Sequence, residues 1–234
     1  MLVYTDVTDR YKMIRGLEDV HMNTYHGTEI NRGKSMITNQ KMEMSICSEK
    51  RQHWLGDGVY LYSDSLYAYR WIVQMYKARF QSKFIKSTLM SKYSILNVDI
   101  HYDHDRVFSM TNPEHYIIFT RCRDNCRNKL ISTDYANKYK IVDPFIFNFM
   151  FKMMKYGNDF DMIYALFNLD RAYYSHETRF TNLPEVQICV KNEQIISDIR
   201  LINIDINEYD SKLDDFNSYR TTSNKYKTKF KRGV

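Results

Sequence analysis

Hydrophobic and polar positions follow a two-residue period in some parts of the chain and a helical period in others. Residues 41–47 alternate as a half-buried strand does, whereas apolar residues in Ser65–Phe80 recur at helical spacing. Further strands are predicted at Val20–His26, Val59–Tyr62, Ile95–Ile100, Glu185–Lys191 and Ile195–Asn207, and further helices at 29–37, 112–130 and Phe145–Tyr156. Because strands occur at both ends with helices between them, the pattern predicts an α+β fold rather than an alternating βαβ series.

The chain shows no internal repeat and no linker rich in Gly, Ser or Pro, so we predict one domain over residues 1–220. A helical insertion is expected at about 112–160, and a basic flexible tail at 221–234. The length of 234 residues suits one sizeable domain, and 44% hydrophobic with 26% charged residues excludes wholesale disorder. No apolar run approaches the roughly 18 residues of a membrane span, and no signal-peptide pattern opens the chain. We therefore expect a cytoplasmic protein with no membrane partner.

The net charge of +6 is concentrated at the C-terminus. From Thr222 onward the chain has five basic residues and no acidic one, which leaves a nearly neutral body. Lysines alternate there with Tyr226, Thr228 and Phe230, a composition that can contact phosphates and stack on bases. The alternative is a frayed, solubilising C-terminus.

The four cysteines, Cys47, Cys122, Cys126 and Cys189, are expected to be free thiols because a cytosolic compartment is reducing. Cys122 and Cys126 lack the second close Cys/His pair of a zinc site. The polar run 101–105, with two histidines and two aspartates, is typical of a surface loop. We predict no metal centre.

Three separated segments carry residues suited to chemistry. Residues 25–28 combine a histidine with a glycine at a strand end, where the missing Cβ lets a ligand approach the backbone. Residues 56–62 place a double-glycine turn before a tyrosine-bearing strand, and the following helix carries Ala68 and Trp71. Glu185 and Gln187 share one face of a late strand, since side chains alternate with period two.

In this order and spacing the segments resemble the ADP-ribosyltransferase superfamily, in particular the His-Tyr-Glu branch typified by diphtheria toxin and the poly(ADP-ribose) polymerases. His26-Gly27-Thr28 is similar to the first motif of that branch, and Gly56-Asp57-Gly58-Val59-Tyr60-Leu61 to the second. Glu185 is the nearest match to its third motif, a glutamate that opens a late strand. The resemblance implies a split β-sheet core with an NAD cleft between two small sheets, flanked by helices.

The resemblance also implies roles for individual residues. The implied catalytic residues are His26, Tyr60 and Glu185, and the implied NAD-binding residues are Gly27, Thr28, Tyr62, Trp71 and Gln187. His26, helped by Thr28, would bind ribose hydroxyls, and the Gly27 backbone would hold the nicotinamide carboxamide. Tyr60, with Trp71 or Tyr62, would sandwich the nicotinamide ring.

Glu185 would grip the 2′-hydroxyl of the nicotinamide ribose and stabilise positive charge that develops on the sugar. Two alternatives stay open for this role: Gln187 as the third-motif residue, or a substitute carboxylate at His176-Glu177. Ala68 stands where polymerase-type members place a serine.

The function implied is mono-ADP-ribosylation, in which NAD is cleaved and ADP-ribose passes to a macromolecular acceptor. Small stand-alone relatives of this kind are often toxins or anti-phage effectors, so an antitoxin or inhibitor protein is a further expected partner. The lysine and aromatic tail favours nucleic acid over protein as the acceptor. The alternatives are an NAD glycohydrolase and a non-catalytic nucleic-acid-binding module on the same fold.

Overall fold

A seven-stranded mixed sheet forms the centre of the protein in the computed structural model, which describes residues 19–48, 53–80, 86–131, 142–167 and 185–225. The strands are β1 Asp19–Glu29, β2 Val59–Tyr62, β3 Tyr93–Asp103, β4 Val107–Ser109, β5 Met162–Phe167, β6 Glu185–Val190 and β7 Ile196–Leu201. Their order across the sheet is β4-β5-β6-β2-β1-β3-β7. Neighbouring strands run antiparallel except β4 and β5, which are parallel.

Six α-helices occur in the described part of the chain. They are α1 Ile30–Asn39, α2 Ser65–Phe80, α3 Leu89–Lys92, α4 Pro113–Ile131, α5 Asp143–Asn148 and α6 Ile206–Lys225. A π-helical turn, Phe149–Met153, continues α5 directly. The predicted α+β class is therefore confirmed. None of the helices described is long and apolar enough to cross a membrane.

The sheet consists of two halves that meet at a narrow seam between β1 and β2. β1 pairs with β3 along its whole length, from Asp19 to Glu29. Its pairing with β2 is limited to Tyr25 opposite Tyr62. β2 instead pairs with β6 along all four of its residues. The strands of the two halves therefore diverge after Tyr25, and the sheet opens there.

The helices cover the sheet differently on its two faces. On one face a single apolar cluster crosses the seam beneath α1 and includes Met36, Leu61, Leu96, Val98 and Ile188. On the other face two clusters are separate: one joins the sheet to α4 and α5 through Phe108, Phe119 and Ile146, and the other joins it to α2 and α6 through Tyr69, Ile72 and Leu213. Between these two clusters the sheet is left uncovered at the seam.

Several element predictions are corrected by the structure. Residues 41–47 form no strand, because their pairing is limited to a single bridge between Ser45 and Gly58. The strand predicted over Ile195–Asn207 ends at Leu201, and α6 begins at Ile206. β4 and β5 lie in a stretch where no strand was predicted. α6 continues to Lys225, and the rest of the predicted basic tail lies outside the described residues.

Candidate functional site

A cavity of about 270 Å³ lies at the seam, on the face where the two apolar clusters are separate. Seven of the eight site residues predicted from the sequence line this cavity: His26, Gly27, Tyr60, Tyr62, Trp71, Glu185 and Gln187. They come from β1, β2, α2 and β6, which are far apart in the sequence. The eighth, Thr28, lies elsewhere.

Strand register explains why the residues of β2 and β6 meet in the cavity. Tyr62 lies directly opposite Gln187 in the antiparallel pair, and Tyr60 lies opposite Cys189. Because side chains alternate along a strand, Tyr60 and Tyr62 share a face with Gln187 and with Glu185 beyond it. The sheet therefore presents two phenol rings, an amide and a carboxylate side by side.

Gly27 allows α2 to approach β1 closely enough to wall the cavity. A Cβ at this position would come within 2.7 Å of Ile72 Cγ2 and 2.8 Å of the Ala68 carbonyl oxygen. Such contacts are too short for any residue with a side chain. The glycine thus brings α2 against the strand, with Trp71 and Arg70 at the cavity, while Ala68 is fully buried beneath.

The turn before β2 holds Tyr60 by its hydroxyl. Gly56 has φ +78°, a left-handed conformation that favours glycine, and a Cβ on Gly58 would lie 2.5 Å from Cys189 Sγ. The Tyr60 hydroxyl donates to the Gly56 carbonyl at 2.7 Å and accepts from the Leu55 amide at 2.8 Å. Because its hydroxyl is occupied in this way, Tyr60 offers the cavity its ring rather than an acid or base.

His26 bridges the seam just beyond the last β1–β2 pair. Its Nδ1 lies 2.8 Å from the carbonyl oxygen of Tyr60. A backbone carbonyl only accepts, so Nδ1 carries a proton in this hydrogen bond. Burial lowers the pKa of His26, which favours the neutral ring at pH 7 and leaves Nε2 as a hydrogen-bond acceptor.

Glu185 is held from two sides. Arg70 Nη1 donates to its Oε2 at 3.1 Å, with the two side chains only 13% and 8% exposed. Gln187 Nε2 donates to the other oxygen, Oε1. Burial, with a further contribution from the Glu185 charge, raises the pKa of Tyr62, so the phenol next to the carboxylate stays protonated.

Both residues that the sequence offered for the third motif therefore reach the same cavity. Glu185 supplies the carboxylate, and Gln187 restrains one of its oxygens. The other substitute considered, His176-Glu177, lies outside the described residues.

Thr28 does not line the cavity, so the structure gives no support to its predicted contact with a ribose. The residue is only 4% exposed. Its Cγ2 lies near Gly33 of α1, 3.2 Å from where a Cβ on that glycine would stand. Thr28 therefore packs against α1, on the far side of the strand from α2.

Six further residues line the cavity, and the sequence reasoning assigned no role to them; Arg70, His53 and Trp54 are three of these. Arg70 lies three residues after Tyr67, which also lines the cavity, so the two share one face of α2. The His53 ring packs 5.5 Å from that of Tyr60, and Trp54 is 47% exposed at the rim.

No group of three or more His, Cys, Asp or Glu residues that could hold a metal ion occurs among the described residues. The four cysteines are all free thiols. The chemistry offered by the cavity is that of aromatic rings, the imidazoles of His26 and His53, and one carboxylate paired with a guanidinium.

Comparison with known proteins finds one distant relative. The chain is similar to the uncharacterized protein MJ0359 of Methanocaldococcus jannaschii, with 25% identity over 201 residues that cover 80% of this chain and 89% of the relative. No family model matches the chain, and no solved structure matches it. The function is therefore argued from the cavity itself.

Proposed function

We propose that the protein is a mono-ADP-ribosyltransferase that binds NAD at the seam, breaks its nicotinamide–ribose bond and transfers ADP-ribose to a macromolecule. The observation that carries this proposal is the convergence of His26, Tyr60 and Glu185 on one cavity from three different strands. The divergence of β1 from β2 supports it further, because a split sheet with the cleft at the split is what the motif resemblance implies.

The aromatic side chains suit the nicotinamide ring. Tyr60, Tyr62 and Trp71 line the cavity, and flat rings of this kind bind a planar group by stacking or edge contacts without adding charge. The volume of about 270 Å³ lies just below the range of about 300–1,000 Å³ that accommodates drug-sized ligands. It therefore suits the nicotinamide and its ribose, with the diphosphate and adenosine extending outside.

His26 and Gly27 are placed to orient this half of the dinucleotide. The neutral ring of His26 keeps Nε2 as an acceptor for a ribose hydroxyl, since Nδ1 is committed to Tyr60. Gly27 lies at the cavity wall, where β2 no longer pairs with β1, so no strand covers its peptide on that side and it can meet a carboxamide.

Glu185 supplies the electrostatic contribution to catalysis. As the C1′–N bond breaks, nicotinamide leaves as a neutral molecule and positive charge develops on the ribose ring. A carboxylate fixed nearby stabilises that charge more in the transition state than in the ground state. Gln187 and Arg70 hold the carboxylate in one orientation, so little reorganisation is needed when the charge appears.

The same residues serve an NAD glycohydrolase, in which water replaces the macromolecular acceptor. Transfer is favoured here by the exposed Trp54 at the rim, which offers a surface to a second substrate. The free thiols and the use of NAD fit the cytoplasmic location expected from the sequence.

The test measures nicotinamide release from NAD by the parent protein and by Glu185→Gln. We expect a loss of about 10²-fold or more, the scale for removing one key electrostatic group. Glu114→Gln is the matched control, because Glu114 is exposed in the first turn of α4 and does not line the cavity. Release by Glu185→Gln at the parental rate, with both proteins folded, would instead favour the non-catalytic binding module.

A second arm identifies the acceptor class. Cell extract is incubated with adenine-labelled NAD and then divided among RNase, DNase and protease treatments. Label that is lost with one treatment alone identifies the acceptor. Free ADP-ribose that accumulates with no labelled macromolecule identifies the glycohydrolase. If the protein is a toxin, expression of the parent slows growth of its host and expression of Glu185→Gln does not.

A further inference from the structure

An aromatic pair stands at the rim of the cavity, next to Glu185. The rings of Trp54 and Phe167 lie 4.5 Å apart between centroids and are tilted by 50°. Phe167 is the strand partner of Glu185 in the antiparallel β5–β6 pair. Directly opposed residues lie on the same face with neighbouring Cβ atoms, so the pair adjoins the carboxylate.

The two tryptophans of the chain both line this cavity. Trp71 belongs to the α2 wall beside Gly27, where the proposed nicotinamide slot lies. Trp54 lies in the loop before β2 and is 47% exposed, although a ring of this size is costly to leave in water. A second planar group can therefore stack on Trp54 while Trp71 serves the nicotinamide.

Charge at the cavity selects against a cationic second substrate. Glu185 is the single acidic side chain among the cavity-lining residues that the structure describes, and Arg70 is paired with it. An arginine or lysine acceptor would place a second cation beside Arg70, and the described cavity-lining residues offer no further carboxylate to bind it. A neutral nucleobase meets no such repulsion, and the five basic residues from Thr222 onward attract its phosphate backbone.

We infer that Trp54 and Phe167 form the acceptor platform, on which a base of a single-stranded nucleic acid stacks next to Glu185. This inference rests on the proposed ADP-ribosyltransferase activity and adds the acceptor class and its binding residues. Aromatic stacking is the usual way in which single strands are held, because every base has a flat face.

The transfer step balances without an additional reagent. The C1′–N bond to nicotinamide breaks and its electron pair leaves with the nicotinamide. A nitrogen lone pair of the stacked base forms the new bond to C1′. The N–H proton of that nitrogen passes to Glu185 or to water, and no group is oxidised or reduced.

The experiment compares the parent, Trp54→Ala, Trp54→Phe and Tyr116→Ala with labelled NAD and two defined probes, a mixed-sequence single-stranded RNA and the matching DNA. Tyr116 is the matched control, because it is an aromatic residue of α4 that is 52% exposed and does not line the cavity. The measured quantity is the ratio of labelled oligonucleotide to nicotinamide released. We expect this ratio to fall roughly tenfold or more in Trp54→Ala, since base stacking contributes on this scale. We expect Trp54→Phe to retain most of the parental ratio and Tyr116→Ala to retain all of it.

A binding measurement separates failure of the inference from failure of the proposed function. In the absence of NAD, we expect either oligonucleotide to quench the tryptophan fluorescence of the parent. The quenching of Trp54→Ala should be substantially weaker. If the parent releases no nicotinamide but is quenched in this Trp54-dependent way, the stacking platform stands and the enzymatic proposal fails. Three outcomes would overturn the inference. In the first, Trp54→Ala gives the same ratio of labelled oligonucleotide to nicotinamide as the parent; in the second, label appears on protein but on neither oligonucleotide. In the third, neither oligonucleotide quenches the fluorescence of the parent.

Discussion

Arg70 and Glu185 form an ion pair that is almost fully removed from solvent, with side chains 13% and 8% exposed. A buried pair of this kind contributes little net stability, but removing one partner leaves the other charge without compensation. Arg70, which would position the carboxylate in the proposed reaction, therefore also compensates the burial of Glu185.

We predict that Arg70→Gln lowers the free energy of unfolding by about 3 kcal/mol, because the buried Glu185 carboxyl group loses its cationic partner. Urea unfolding at pH 7 measures this loss. The double variant Arg70→Gln/Glu185→Gln should regain much of it, since both charges are then absent. Arg32→Gln is the control: its pair with Glu43 is 57% and 41% exposed, and its loss should stay below about 1 kcal/mol. Equal losses for the two arginine variants would contradict the argument.

At the scale of single residues, the sequence predicts those site residues that belong to a recognisable local motif. His26 with Gly27, and Tyr60 after its double-glycine turn, are recognisable without a structure. Arg70 is different, because its role depends on Glu185, which lies 115 positions away. Thr28 is the converse case: it belongs to a local motif, but its side chain packs against Gly33 of α1 and does not line the cavity.

At the scale of elements, the packing of α2 on β1 depends on the absence of a side chain at residue 27. We predict that Gly27→Ala forces α2 away from the strand and lowers the unfolding free energy by about 1–3 kcal/mol, the usual cost of overpacking. Thermal or urea unfolding measures the loss. In the control Gly157→Ala, the new Cβ would approach no closer than 3.3 Å to the Phe151 carbonyl oxygen, at an exposed position. A smaller change than that of Gly27→Ala is expected there, because the contact is longer and the position is exposed.

Asp57 connects the turn before β2 to the end of α5 and its π-helical continuation. Its carboxylate accepts from the Cys47 amide, from the side chain of Asn148 and from Lys152. Burial by itself would raise the pKa of Asp57, but the hydrogen bonds from Lys152, Cys47 and Asn148 outweigh it and hold the pKa at about 2. These bonds hold the turn that precedes β2 and Tyr60 against the end of α5 and its π-helical continuation.

A pKa below the unfolded value means that the charged form of Asp57 stabilises the fold. Its contribution, about 2 kcal/mol, is fully present above the unfolded pKa near 4 and is lost as the pH falls toward 2. We predict that Asp57→Asn is less stable at pH 6 and that the difference from the parent shrinks between pH 4 and pH 2. Urea unfolding as a function of pH measures both. A difference that stays constant over this range would show that the ionised form does not matter.

Element boundaries were predicted well where a local signal existed. The helical period placed α2, and Pro113 and Pro144 marked the starts of α4 and α5. β5 was missed because its sequence, Met-Ile-Tyr-Ala-Leu-Phe, lacks the alternation of a half-buried strand. Residues 41–47 alternate but form no strand, because their pairing is limited to one bridge, and periodicity alone does not reveal a missing partner.

At the scale of the whole molecule, the order of the strands was beyond the reach of the sequence. β2 lies between β6 and β1, so the seam depends on pairings between residues more than a hundred positions apart. Local patterns predicted the α+β class, whereas the seam and its cavity result from where the two half-sheets stop pairing. The proposed function therefore depends on a feature that exists only after the chain has folded.

Because the cavity lies between the two half-sheets, a ligand bound there contacts both and stabilises the folded molecule as a whole. We predict that NAD raises the thermal midpoint of Glu185→Gln, a variant chosen so that NAD is not consumed. At 100 times the dissociation constant the gain is about 2.7 kcal/mol, or roughly 5–10 °C for a domain of this size. Differential scanning fluorimetry measures the shift. ADP-ribose is the control: it lacks nicotinamide and cannot fill the slot of Tyr60, Tyr62 and Trp71, so its shift should be smaller at the same concentration. Equal shifts for the two ligands would place the dinucleotide outside the cavity, and a shift for neither would mean that the seam does not bind it.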